Sequence, residues 1–161
     1  MTTVINFDLP DEAATRALGA ALLDQAPDAG GRTLWVALHG PLGAGKSTLV
    51  RGALAALGWD GPVPSPTYTL VEPYTVDREV WHLDLYRLGD ASEWDELGVE
   101  DAAPDCLLIE WPERIPELAS RFDLHVSLDY REASRVVQLQ ASSPTGAQWL
   151  SRLRGYFQPI T

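Results

Sequence analysis

The chain has a single cysteine, Cys106, in 161 residues. That excludes an internal disulfide and any metal site built from several thiolates, and a reducing cytoplasm is the expected setting. Positive charge is also scarce: 12 Lys and Arg stand against 23 Asp and Glu, a formal net charge of −11. Non-specific grip on nucleic acid draws on a basic face, so direct binding of that kind is not expected. Action on nucleic acid through a basic partner stays open. No apolar stretch approaches the roughly 20 residues of a membrane span, and the first residues lack the charged-then-apolar design of a signal peptide. Internal repeats, low-complexity tracts and interdomain linkers are missing too. The expectation is one domain over residues 1–161, large enough to close three layers around a sheet.

What the sequence does contain is Gly40-Pro41-Leu42-Gly43-Ala44-Gly45-Lys46-Ser47. It reads G-x-x-x-x-G-K-S, the phosphate-cradling loop of P-loop nucleotide hydrolases. The neighbours it needs are present. Before it, Thr33 to His39 is an apolar run of strand length, suited to a sheet covered on both faces. After it, Lys46 to Leu57 carries Leu49, Ala53, Ala56 and Leu57 at helical spacing and stops at Gly58. Glycines let successive N–H groups converge on phosphate oxygens, and the helix N-terminus adds its positive end. In such a loop Lys46 reaches the β/γ-phosphates and the Ser47 hydroxyl ligates Mg²⁺.

Elsewhere, Val4 to Asp8 reads as a strand and Asp11 to about Gln25 as a helix with Ala14, Leu18, Ala21 and Leu22 on one face. Gly61-Pro-Val-Pro-Ser-Pro66 forbids regular structure and leads to Ser65-Pro66-Thr67-Tyr68-Thr69-Leu70, where switch segments stand in other P-loop proteins. A plain surface connection is the alternative. Tyr68 to Val76 and Glu79 to Leu85 predict two strands joined at Asp77-Arg78. Alternation puts His82, Asp84 and Tyr86 on one face, which is either a solvated edge or a wall of the nucleotide site with Asp84 orienting water. Ala91 to Leu97 is a short helix with Ser92 as cap. Cys106-Leu-Leu-Ile-Glu110 is an apolar strand closed by an acid, the form that holds Mg²⁺ beside a P-loop. The alternative is an acid that caps a short helix or turn at Pro112 to Ser120. Phe122 to Asp129 and Arg135 to Ala141 form a hairpin turned by Tyr130 to Ser134. Thr145 to Tyr156 is an amphipathic helix whose Trp149, Leu150, Leu153 and following Phe157 serve core packing. The fold class is α/β: a three-layer P-loop domain with a mostly parallel central sheet and antiparallel additions at the two hairpins.

In order and spacing, G-P-L-G-A-G-K-S (40–47), S-P-T-Y-T-L (65–70), H-L-D-L-Y-R-L (82–88) and I-E-W-P-E (109–113) resemble the bacterial TsaE (YjeE) family. The likeness runs from the Asp11 helix to the Glu113 region. It implies a small P-loop ATPase needed for threonylcarbamoyl-adenosine modification beside the anticodon of tRNA. Such a protein works with TsaD and TsaB, a transferase and its partner, while TsaC makes the threonylcarbamoyl-adenylate. By the same resemblance, Lys46 and the loop around Gly43, Ala44, Gly45, Ser47 and Thr48 bind the phosphates of ATP, and Ser47 with Glu110 holds Mg²⁺. Thr67 sits in the switch-like loop and Asp84 helps hydrolysis; Thr15 and Arg135 are candidates near adenine. Two positions depart from the family habit: Ser47 replaces a frequent threonine, and Pro41 a frequent acidic residue. No Asn-Lys-x-Asp is present to read guanine, which favours ATP over GTP. Tested against this are a small-molecule P-loop kinase and a nucleotide-gated binding module in which hydrolysis is incidental. A kinase usually carries arginines in a mobile lid, and the arginines here are scattered.

The charge balance makes one outcome measurable. The purified chain should bind tRNA poorly at physiological salt, because −11 repels phosphate and no basic stripe is visible. Fluorescence anisotropy with labelled tRNA over a salt series checks this; a salt-sensitive micromolar association would contradict it.

Overall fold

A computed structural model describes residues 4–67 and 69–156, so Tyr68 and Phe157 lie outside the described residues. In chain order the elements are β1 (Val4–Leu9), α1 (Glu12–Asp24), β2 (Leu34–His39), α2 (Lys46–Ala56), β3 (Val71–Thr75), β4 (Glu79–Asp84), α3 (Ala91–Glu96), α4 (Val99–Ala102), β5 (Cys106–Glu110), β6 (Leu124–Arg131), β7 (Ser134–Ala141) and α5 (Pro144–Tyr156). Two 3-10 turns, Pro112–Arg114 and Pro116–Arg121, follow β5.

The seven strands form one sheet in the order β1-β7-β6-β2-β5-β4-β3. Its middle strands β6, β2, β5 and β4 run parallel. Antiparallel strands flank them, β3 beside β4 on one side and β7 then β1 on the other. The expected fold class is therefore the observed one, and the β3–β4 and β6–β7 pairs are the hairpins read from the sequence; β1, expected only as a strand, adds a further antiparallel edge on β7.

β2 and β5 are apolar at nearly every position because each of their faces meets a core. Val36, Leu38 and Leu108 pack under α1, α2 and α5, against Leu18, Leu22, Leu49, Ala53, Trp149 and Leu153. Trp35, Ala37, Leu107 and Ile109 point the other way, into a layer made by Trp94, Val99, Ile115, Leu118 and Phe122. Trp149 is core, as expected, and its indole N–H donates to the Leu22 carbonyl at 2.8 Å. Among the described residues no helix is long and apolar enough to cross a membrane.

Some local expectations shift. Asp90 rather than Ser92 caps α3, its Oδ1 accepting from the Ser92 and Glu93 amides; a carboxylate two residues earlier reaches both orphan N–H groups. The strand placed from Tyr68 begins only at Val71, since Leu70 takes a left-handed φ of 70° and turns the chain. The four-residue α4 after left-handed Gly98 carries no periodic pattern long enough to be seen.

Helices α1 and α2 cross closely through two glycines. A Cβ on Gly19 would stand 1.9 Å from the Leu49 carbonyl oxygen, and one on Gly52 would stand 2.2 Å from that of Arg16. Backbone atoms cannot step aside as a side-chain tip can. Gly52→Ala should therefore cost about 1–3 kcal/mol or more through overpacking, whereas Gly155→Ala, with open space around it, should be neutral or slightly stabilising. Urea unfolding of both variants checks this; equal stabilities would mean the crossing relaxes freely.

Candidate functional site

Parallel pairing sets the frame. Leu38 of β2 is opposite Glu110 of β5, and Glu110 is opposite Asp84 of β4. The chain following β2 and both carboxylates thus emerge at one carboxyl edge of the sheet, where open α/β folds bind ligands. The chain leaves β2 through Gly40, Gly43 and Gly45, with φ of 145°, 81° and 114°, values natural to glycine. Space matters as well: a Cβ on Gly40 would lie 2.5 Å from the Leu128 carbonyl oxygen, and one on Gly43 would lie 2.7 Å from the Tyr130 hydroxyl. α2 then starts at Lys46 with no side-chain cap on its first amides. Those N–H groups and the helix dipole make an anion cradle.

Above the sheet edge the charged groups hold one another. Lys46 Nζ donates to the Gly40 carbonyl at 2.8 Å and stands 3.4 Å from Glu110 Oε1. On the far side of that carboxylate, His82 Nε2 donates to Oε2 at 2.7 Å. Burial works to raise the Glu110 pKa, but the His82 hydrogen bond and the charges of His82 and Lys46 outweigh it and hold the carboxyl below its ordinary range. Asp84 accepts from the Tyr86 amide at 2.9 Å on Oδ1 and from the Thr67 hydroxyl at 3.3 Å on Oδ2. Ser65 Oγ lies 2.8 Å from Thr67 Oγ1 and ties the proline-bounded loop together. Lys46, Ser47, Thr48, Ser65, Thr67, Asp84, Tyr86, Glu110 and Trp111, with Leu42, Gly43 and Gly45, line a cavity of about 480 Å³.

A hard cation would find oxygen donors on one wall here, from the Ser47 hydroxyl and the Asp84 and Glu110 carboxylates. Among the described residues no cluster of three or more His, Cys, Asp or Glu could hold a metal by itself. A cation would complete its shell with water and an anionic ligand, which is the habit of Mg²⁺. Glu110 is not a helix cap: the 3-10 turn after it starts from left-handed Trp111 and has no side-chain cap.

Across the loop lies a smaller cavity of about 210 Å³, lined by Gly43, Ala44, Gly45, Thr48, Thr15 and Arg135 among others. Thr15 is buried there, and its methyl would be 3.3 Å from a Cβ on Gly45. Arg135 lies over the Tyr130 ring, its Cζ 4.5 Å from the centroid, and reaches to 3.5 Å from the Gly43 carbonyl. Every residue singled out in the sequence therefore borders one side of the loop or the other. Three contacts were not foreseen. One is the His82–Glu110 bond, legible only as a polar residue two before Asp84. The others are the edge contact of Tyr86 with Trp111 and the Tyr130 hydroxyl on the Leu42 carbonyl.

Residues 9–137 match the family model described as threonylcarbamoyl adenosine biosynthesis protein TsaE. The chain is 40% identical over 123 residues to the tRNA threonylcarbamoyladenosine biosynthesis protein TsaE of Haemophilus influenzae, covering 74% of this chain and 78% of that one. It is 40% identical over 139 residues to the TsaE of a Nostoc species, covering 81% and 82%. In fold it is similar to the crystal structure of YdiB from Bacillus subtilis, with a TM-score of 0.75, 19% identity and 97% of each chain covered.

The depressed Glu110 pKa gives a pH signature. A carboxyl that titrates below its ordinary 4.5 when folded adds stability present above that value and lost as pH falls through the folded pKa. Wild type should be more stable than Glu110→Gln at pH 7, and the gap should close below about pH 4.5. Urea midpoints across that range check it; a constant gap would mean that Glu110 acts through shape alone.

Proposed function

The chain belongs to the TsaE family of threonylcarbamoyl adenosine biosynthesis proteins, and we propose that its part in this tRNA modification is that of a slow, Mg²⁺-dependent ATPase. It acts in the cytoplasm on a complex of TsaD- and TsaB-type proteins, and it meets tRNA through them. The observation that carries the reading is the convergence of loop, Lys46, Ser47, Thr67, Asp84 and Glu110 on one cavity.

The loop amides and the N-terminus of α2 receive phosphate oxygens, and Lys46 turns from Gly40 and Glu110 towards the β/γ-phosphates. Ser47 and Glu110 are the residues that would hold Mg²⁺. That cation, when bound, neutralises the charge developing on the transferring phosphoryl group. Asp84 is fixed at both oxygens by Thr67 and the Tyr86 amide; from there it orients the attacking water and accepts its proton. Thr67 couples the proline-bounded loop to that carboxylate. Thr15 and Arg135 flank the base in the smaller cavity. The competing small-molecule kinase gains no support from the relatives, which carry names from tRNA modification.

Two variants read binding and chemistry apart. Lys46→Ala should lose ATP turnover and most nucleotide affinity while staying folded, because the lysine supports no core contact. Asp84→Ala should keep nucleotide binding and drop kcat by about a hundredfold or more. Equilibrium binding of a fluorescent ATP analogue and phosphate-release kinetics measure both. Near wild-type turnover in Lys46→Ala would overturn the P-loop reading. Asp84→Ala that loses stability and keeps its kcat would make Asp84 a structural residue.

A further inference from the structure

We propose that His82 is a positioning residue that fixes how Glu110 can meet a cation, and that it makes the site prefer Mg²⁺ to larger divalent ions. The inference rests on the cation reading above and deepens it. His82 is two residues out of register with Glu110: it pairs with Leu108, while Glu110 pairs with Asp84. On a pleated sheet that diagonal places both side chains on the same face within reach. The result is a buried hydrogen bond of 2.7 Å to Oε2, with His82 only 1% exposed. An ionised carboxylate can only accept, so at this contact Nε2 carries the proton. The other ring nitrogen, Nδ1, is buried and finds no partner among the described residues. An imidazole left half unsatisfied in a core is poor packing material; its one directed contact is with Glu110.

The two oxygens of Glu110 are therefore not equivalent. Oε2 is held on the sheet by a strand residue that has nowhere else to go. Oε1 faces the loop, where Lys46, on a flexible stem, stands 3.4 Å away. When Lys46 turns to phosphate, Oε1 becomes available and Oε2 does not. Glu110 can then offer a cation a single oxygen. Mg²⁺ accepts that, since it uses one or two carboxylate oxygens in a tight octahedron and keeps its waters. Ca²⁺ favours six to eight oxygens and often takes both of a carboxylate, which the His82 bond obstructs.

The test uses wild type, His82→Gln, His82→Leu and His82→Met, the last being an unbranched filler in case leucine packs badly. Binding of a fluorescent ATP analogue is titrated with Mg²⁺ and separately with Ca²⁺, and thermal unfolding verifies the fold. Removing the donor should raise the Mg²⁺ midpoint by about tenfold, as loss of a ligand's supporting hydrogen bond commonly does, and should narrow the gap between the Mg²⁺ and Ca²⁺ midpoints. His82→Gln keeps an N–H for the same oxygen and should stay near wild type. Leucine and methionine variants with wild-type midpoints for both ions would overturn the proposal. So would a glutamine variant as impaired as leucine, which would assign the effect to ring shape. Wild type that binds nucleotide without any metal dependence would instead sink the cation reading on which the inference stands.

Discussion

The pairing of β2 with β5 is the constraint on which the rest depends. It is parallel and central, so both strands finish at one edge, and its register sets Leu38 opposite Glu110. Side chains alternate along a strand, and a slip of one residue would turn Glu110 into the layer that now holds Ile109. The lysine of the loop would then lose its carboxylate, and the His82 ring its hydrogen bond. The same register, continued into β4, lines up Asp84 beside Glu110. Fold and site are one problem here. The apolar faces that demand burial on both sides of β2 and β5 also decide where the acids come out.

Burying charge in that place needs compensation, and the structure supplies it as a chain. Lys46 meets Glu110, Glu110 meets His82, and Asp84 is met by a hydroxyl and a backbone amide. A buried ion pair is not by itself a source of stability, since desolvation can exceed the attraction. Its use lies in exchange: Lys46 donates to a carbonyl and stands 3.4 Å from Glu110, and a stronger anion can take it. The backbone around the pair is also under tension. Leu70 and Trp111 both take left-handed conformations, at φ of 70° and 58°, each costing roughly 1–3 kcal/mol for a side chain of that kind. Trp111 lines the cavity, its ring 5.5 Å from Lys46 Nζ and edge-on to Tyr86 at 5.0 Å.

The loop and its lysine were legible in the sequence because glycine spacing is a backbone requirement, and backbone requirements leave fixed letters. Glu110 was legible as the end of an apolar run, and the fold class followed from apolar runs alternating with helical patterns. Of the alternatives for Asp84, tertiary structure removes the solvated edge: β3 adds outside β4, so β4 is internal and its polar face is covered. No pattern within one strand could say that. The cap at Asp90 was missed because Asp and Ser two residues apart are both good caps, and only backbone geometry separates them. The grip of Tyr130 on the loop joins residues 88 positions apart. It depends on β6 carrying Tyr130 to the loop, and local composition carries no trace of it.

The overall charge and the local site pull in opposite directions, and distance decides between them. A chain of net charge −11 presents a repulsive field to any polyphosphate at long range, but salt screens exposed charges beyond about 8 Å under physiological conditions. Inside that length the loop amides, the α2 dipole and Lys46 act with little screening because the cavity wall is largely protein. On the reading proposed above, a free nucleotide would therefore meet Asp84 and Glu110 as adverse neighbours once Lys46 had turned away. A nucleotide that carries its cation brings the charge those acids require. On that reading the arrangement would favour the metal-bound form over the free one at the point of entry. On the same reading, the acidic excess would suit a basic protein partner and oppose direct contact with tRNA. Partner and ligand would then be selected by the same excess of carboxylates, acting at two different ranges.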